Sequence, residues 1–260
     1  MRGLMMDFQL TIPAILRRAE SLFSAKEIIT RLPDRSIHRY TYAEFAIRAK
    51  RLAAALHRLG IREGDRVATL SWNHYGHLEA YFGVPGMGAV IHPLNLRLAP
   101  HDLAYIVNHA EDKVIIVDQV LLPLFEQFKA GVDAGTVIVI PQTADPVAPP
   151  YLNYEEVVAA GDENEFQPFE GDEYTAAFMC YTSGTTGKPK GVLYSHRSVV
   201  LHAMAFLLSC GGLGITERDV VLPVVPMFHA SAWGLPYNCA FAGATQVYPG
   251  PYLDAESLLA

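Results

Sequence analysis

The chain has 260 residues, with 20 basic and 27 acidic side chains and a formal net charge of −7. At roughly 100–200 residues per domain, this length allows one large domain or two modest ones. Half of the residues (51%) are apolar and 18% are charged, so the chain can bury a core and is not a disordered one. The acidic balance also argues against a nucleic-acid groove, which carries a net basic face.

In chain order, Thr11 opens an apolar set at Ile12, Ile15, Leu16, Ala19, Leu22 and Phe23, which is one face of an amphipathic helix. Thr41-Tyr42-Ala43-Glu44 reads as a capping box. It begins a helix that turns Phe45, Leu52, Leu56 and Leu59 inward, with Gly60 at the left-handed C-terminal cap. Val67 to Leu70 is a buried strand. Helical stretches near 74–83, 100–110, 120–130, 154–160, 197–209 and 231–242 then alternate with strand-like runs. Those runs are Ala89 to Ile91, Val114 to Val117, Thr136 to Ile140, Ala176 to Tyr181, Val220 to Leu222 and Thr245 to Tyr248. Such alternation predicts an α/β fold of mostly parallel sheets flanked by helices.

Pro141 to Pro150 is the proline-rich connection, and a second polar stretch runs from Gly161 to Glu173. A first α/β subdomain is expected over 1–170, with a second beginning at 171–260. Asp254 reads as the cap of a helix that the chain leaves after fewer than two turns, which points to a cut at Ala260.

The sparse cysteines Cys180, Cys210 and Cys239 fit buried free thiols in a reducing compartment. No run approaches the roughly 18 apolar residues of a membrane span. The first residues lack the apolar core and cleavage site of a signal peptide. A cytoplasmic protein is expected.

Residues 181–191 carry the chemistry: Tyr-Thr-Ser-Gly-Thr-Thr-Gly-Lys-Pro-Lys-Gly. They follow a buried strand, so they form a loop at a strand's C-terminal end, where open α/β sheets bind ligands. Thr182, Ser183, Thr185 and Thr186 offer hydroxyls, Gly184, Gly187 and Gly191 let the backbone approach a ligand, and Lys188 and Lys190 add positive charge. A polyphosphate needs that combination of donors, compact cations and bare backbone. A Walker A loop does not fit. Gly184 and Gly187 are too close, and Pro189 removes a backbone donor after Lys188. Gly83 to Gly88 likewise lacks the spacing of a dinucleotide fingerprint.

Thr-Ser-Gly-Thr-Thr-Gly-x-Pro-Lys-Gly resembles the phosphate-binding signature of the AMP-forming acyl-CoA synthetase and adenylate-forming superfamily. The flanks agree: Val192 to His196 resembles the strand and histidine after that loop, and Pro223-Val-Val-Pro-Met-Phe-His229 the motif at the acyl pocket. Thr41 to Phe45, Gly64 to Ala68 and Gly88 to Asn95 also fall in the family's order. The resemblance spans nearly the whole chain but only the first half of such an enzyme, and it is nearest to bacterial long- or medium-chain fatty acyl-CoA synthetases.

What the resemblance implies is two-step chemistry. A fatty acid carboxylate attacks the α-phosphate of Mg2+-bound ATP to give an acyl-adenylate, and CoA then displaces AMP. It places Thr182, Ser183, Gly184, Thr185, Thr186, Gly187 and Lys190 on the β- and γ-phosphates, and Thr185 beside the metal. Lys188 sits at a variable position and is expected to be a solvated charge. His229 is expected where the acyl carboxylate meets ATP. Trp233 lies four residues on, one turn if the chain is helical there, so the two rings are expected to share a face and gate an acyl tunnel.

His196 is expected to begin a helix. His74, His77, His92, His101 and His109 lack zinc-like spacing and are expected to be solvated or capping. The later family signatures, including the Tyr-Gly-x-Thr-Glu acid, the ribose aspartate and the C-terminal lysine, are not among these 260 residues. The chain is therefore expected to be an inactive N-terminal portion of a fatty acyl-CoA ligase, prone to self-association through uncovered apolar surface. The competing readings are a non-catalytic module that binds phosphate ligands or a partner subunit, and a ligase for an aryl acid.

Overall fold

The computed structural model describes residues 5–182, 188–208 and 214–259. Helix α1 (Ile12–Leu22) starts with Pro13 in its first turn and buries Ile12, Ile15, Leu16 and Ala19. Strands β1 (Glu27–Arg31) and β2 (Ile37–Thr41) form an antiparallel hairpin that the sequence reading did not foresee. Its alternation is broken by charged residues, and only Ile28, Thr30 and Tyr40 in it are buried.

The capping box forms as expected. Glu44 N–H donates to Thr41 Oγ1 at 3.3 Å while Thr41 N–H donates to Glu44 Oε2 at 2.7 Å. It opens α2 (Tyr42–Arg58), and Gly60 at φ +95° turns the chain out of it. Strand β3 (Arg66–Leu70), helix α3 (Tyr75–Gly86) and strand β4 (Val90–Pro93) follow. Every residue of α3 is buried, so it shows no polar face and lies inside the core.

The next elements are α4 (Pro100–Ala110), β5 (Asp112–Asp118), the short α5 (Leu122–Phe125) and β6 (Thr136–Ile140). The helix expected over 120–130 is broken into α5 and single 3-10 turns at Gln119–Leu121 and Lys129–Gly131. Pro123, in the first turn of α5, has no backbone N–H to continue a helix from residue 119. Then come β7 (Leu152–Asn153), α6 (Tyr154–Ala160), β8 (Ala176–Thr182), β9 (Lys190–Ser195) and α7 (His196–Leu208). The described chain closes with β10 (Val220–Val221), α8 (Leu235–Ala242), β11 (Thr245–Tyr248) and α9 (Ala255–Leu259).

Two sheets result, mostly parallel and flanked by helices as expected. The larger has the order β7-β6-β5-β3-β4-β8-β9 and is parallel except for the β8–β9 pair. The smaller, β10-β11-β1-β2, is antiparallel only at β1–β2. β8 and β9 belong to the sheet of β3 to β7, whereas β10 and β11 join β1 and β2 from the start of the chain. Backbone hydrogen bonding between distant segments, not chain order, sets these two groups.

In β5, Val114 and Ile116 face a core shared with α1, α2, α3 and α8, while Ile115 and Val117 face a second core with Leu103, Ile106 and Val107 of α4. That alternation covers the large sheet on both faces, which is why its strands read as continuous apolar runs. Burying a side chain such as Phe82 or Ile116 contributes about 1.5–3 kcal/mol.

Candidate active site

Strand β8 runs parallel to β4, so Thr182 ends it at the same edge of the sheet as the C-terminal ends of β3 to β6. β9 returns antiparallel, with Tyr181 opposite Gly191 and Thr182 opposite Lys190. Residues 183–187 hold the expected positions Ser183, Gly184, Thr185, Thr186 and Gly187, and these lie outside the described residues. The two residues of the expected phosphate loop that are described, Thr182 and Lys190, thus face each other as the last pair of a hairpin, and both are exposed. Among the described residues no carboxylate lies within ion-pair distance of the Lys190 ammonium. An unpaired cation beside a hydroxyl at the mouth of a sheet fits a polyphosphate. Lys188, expected to be a solvated charge, is exposed and holds its ammonium 4.8 Å from the ring centre of Tyr105.

The segment Pro223–His229 is tied to the loop after β3. Met227 N–H donates to Asn73 Oδ1 at 2.7 Å, Asn73 Nδ2 donates to the carbonyl of Val225 at 3.0 Å, and the Tyr81 hydroxyl donates to the carbonyl of Met227. Phe228 is buried and packs edge-on against Trp72, with ring centres 5.8 Å apart. His229, next in sequence, is exposed.

The helical turn expected from His229 to Trp233 is not right-handed. Ala230, Ser231, Ala232, Trp233 and Gly234 have φ of 45°, 54°, 49°, 56° and 72°, a left-handed 3-10 turn leading into α8. For residues with a Cβ this costs on the order of 1 kcal/mol each. Buried Ala232 and the His202 ring hold it. His202 Nε2–H donates to the Trp233 carbonyl at 2.9 Å. The left-handed turn removes the i, i+4 juxtaposition, so no ring contact between His229 and Trp233 exists among the described residues. Trp233 is 64% exposed and lines a pocket of about 310 Å³ with Tyr194, Ser198, Val199, His202 and Tyr237; His229 is not on its wall.

The histidines sort by burial. His74 caps α3 as expected: its Nδ1 accepts from the Gly76 and His77 N–H groups, and its Nε2–H donates to Asp118 at 2.7 Å. His77 and His92 are not solvated. His77 is buried against Thr69 Oγ1 at 2.8 Å, and burial pulls its pKa down to about 3. His92 is buried on Asp112, 2.8 Å away. His109 is exposed but bonds the Tyr181 hydroxyl at 2.7 Å. His196 begins α7 as expected, stacks on Phe169 at 4.6 Å and accepts from Ile12 N–H at 3.2 Å. Among the described residues no three His, Cys, Asp or Glu side chains converge as a metal site. Cys239 is buried and Cys180 half-buried, while Cys210 lies outside the described residues. No helix is long and apolar enough to cross a membrane among the described residues.

Asn73, Tyr105, His109 and His202 were not singled out as site residues by the sequence reading. Their partners lie 31 or more residues away, so no local pattern marks them.

Residues 17–260 match the family described as AMP-binding enzyme. The long-chain-fatty-acid–CoA ligase of Thermus thermophilus is 51% identical over 98% of this chain, which covers 46% of that protein. The medium-chain-fatty-acid–CoA ligase of Ectopseudomonas oleovorans is 42% identical over 99% of this chain, which covers 48% of it. Among solved structures, a benzoate CoA ligase from Burkholderia xenovorans superposes with a TM-score of 0.81 at 23% identity, over 96% of this chain and 47% of its own; that likeness concerns the fold. The chain thus spans about half the length of these relatives, and on the match over residues 17–260 it belongs to the AMP-binding enzyme family.

Proposed function

We propose that this chain is the N-terminal portion of an AMP-forming fatty acyl-CoA ligase. The observation that carries the reading is the hairpin stem in which exposed Thr182 faces exposed Lys190, unpaired among the described residues, on either side of residues 183–187 at the sheet's C-terminal edge. In this reading the acid's carboxylate oxygen bonds the α-phosphorus of ATP as the bond to the β-phosphate's bridging oxygen breaks and pyrophosphate leaves. CoA thiolate then bonds the acyl carbon, and AMP departs. Lys190 and the loop donors spread the charge on the leaving pyrophosphate, which is the kind of stabilisation that supplies most of the rate in such substitutions. Bound Mg2+ would neutralise further phosphate charge, with Thr185 as its protein-side neighbour.

The Trp233 pocket is walled by Tyr194 of β9 and by Ser198, Val199 and His202 of α7, and its largely apolar lining suits an alkyl chain. His229 is assigned to the junction of acyl carboxylate and ATP. The division at residue 170 is kept as a proposal for the longer protein, as are a cytoplasmic setting and a homo-oligomer. Exposed Leu193, Leu208 and Trp233 support association.

The test is acid-dependent exchange of labelled pyrophosphate into ATP. The intact protein that carries this chain is expected to exchange with alkyl acids, and the 260-residue chain alone is not. Exchange with aryl acids only would replace the fatty acid in this reading. Nucleotide binding without any exchange would replace the enzyme with a binding module.

A further inference from the structure

We propose that helix α4 is the platform on which the phosphate-binding hairpin is seated, with Tyr105 and His109 as positioning residues and Tyr181 as the strand residue they hold. This inference rests on the ligase reading given above. Tyr181 stands immediately before Thr182, and three contacts fix it. Its ring lies over its cross-strand partner Gly191, where an added Cβ would come within 3.1 Å of Tyr181 Cζ. Its other neighbour is His92, with ring centres 5.2 Å apart, itself pinned by Asp112. Its hydroxyl bonds His109 Nδ1 at 2.7 Å. Burial, with the Asp112 carboxylate nearby, raises the Tyr181 pKa to about 12, so the phenol keeps its proton and remains a neutral hydrogen-bonding partner of the imidazole.

On the far side of the loop, the Lys188 ammonium sits over Tyr105 at 4.8 Å. Tyr105 and His109 are one turn apart on α4, with ring centres at 5.3 Å. Both ends of the loop therefore rest on one face of one helix. That helix is itself anchored, because Leu103, Ile106, Val107 and Ala110 are buried against the large sheet.

Holding both ends of a phosphate loop before nucleotide arrives removes part of the ordering cost of binding. It also fixes where the donors and Lys190 meet the pyrophosphate. These rings contact the hairpin and Lys188, and not the Trp233 pocket, so their loss should appear in ATP parameters and leave those of the acid alone.

The experiment uses the intact protein that carries this chain, with pyrophosphate exchange and KM for ATP and for the fatty acid measured separately. Tyr181→Phe removes one hydroxyl, and His109→Leu removes its partner. Each is expected to raise KM for ATP about five- to tenfold, the size of one net hydrogen bond, with KM for the acid unchanged. The double variant should be no worse than either single one, because both delete the same bond. His109→Gln, whose amide can either donate or accept, should recover most of the affinity, and His101→Leu on the exposed start of the same helix should change nothing. Unfolding midpoints keep a folding defect distinguishable from the kinetic effect. Unchanged ATP parameters, additive losses, or equal shifts in both KM values would overturn the inference while leaving the ligase reading intact. An unsubstituted protein that neither exchanges pyrophosphate nor binds ATP would overturn both.

Discussion

The side-chain amide of Asn73 donates to the carbonyl of Pro223 at 2.9 Å, joining residues 150 positions apart in the chain. Asn73 follows β3 in the large sheet, and Pro223 follows β10 in the small one. With its bonds to Val225 and Met227, the amide uses both N–H donors and its oxygen on one segment, the one that leads to His229.

Asn73→Ala is expected to leave the Pro223 and Val225 carbonyls without their donor in a fully buried site. The cost should be about 2–4 kcal/mol, read as a fall in the urea midpoint with an unchanged slope. A loss below about 0.5 kcal/mol, the range of ordinary surface changes, would show that this amide does not tie the two sheets together.

Gly83 in α3 faces α2 so closely that a Cβ would sit 2.7 Å from the Ala49 carbonyl oxygen. Backbone cannot yield as a side chain can, so Gly83→Ala should destabilise by about 1–3 kcal/mol. Gly131→Ala, where the nearest atom is 3.5 Å away, is the control and should stay within about 0.5 kcal/mol. Thermal unfolding of both variants measures the difference.

Buried His196 has its pKa pulled down by burial to about 4 from an ordinary 6.5. The unfolded chain therefore binds this proton more readily than the folded one. The stability involved is fully present above pH 6.5 and is lost as pH falls towards 4. Its full extent is on the order of 3 kcal/mol. His196→Gln keeps an acceptor for Ile12 N–H and has no titration, so its stability should fall less steeply across this window. Parallel pH profiles for the two proteins would contradict the assignment.

Lys190→Ala is expected to lower acid-dependent pyrophosphate exchange by about 10²–10³-fold, as loss of one charge-stabilising donor does. Its ammonium is exposed and unpaired among the described residues, so the unfolding midpoint should not move. Wild-type exchange by this variant would remove Lys190 from the phosphate site.

Trp233→Ala opens one wall of the 310 Å³ pocket without disturbing a core. A shift in alkyl chain-length preference is expected, with KM for ATP unchanged. An unaltered acid panel and unaltered rates would take Trp233 out of the acyl site.

The capping box at Thr41 and the bounds of α4, α6, β6 and β11 were legible in the sequence, whereas Tyr181, Thr182, Lys190 and Gly191, read there as loop, are paired strand residues of β8 and β9. Each of the former is decided within a few residues, by periodicity, a cap or a glycine. Other features were not. The β1–β2 hairpin has no clean alternation, because its strands meet β11 on one side only and leave charged side chains in water. The Ala230–Gly234 turn reads as the start of a helix, and contacts from distant parts of the chain, with Ala232 buried and His202 bonded to the Trp233 carbonyl, hold it left-handed.

The sequence by itself therefore determined the fold class, the family resemblance and the order of most elements, because short-range hydrogen bonding and apolar spacing specify those locally. Only the tertiary structure decided how the strands divide between two sheets, that Trp233 and not His229 faces the pocket, and that Tyr105 and His109 of α4 meet Lys188 and Tyr181. Those outcomes depend on side chains such as Asn73, His109 and His202, whose partners are brought within reach only when the two cores close.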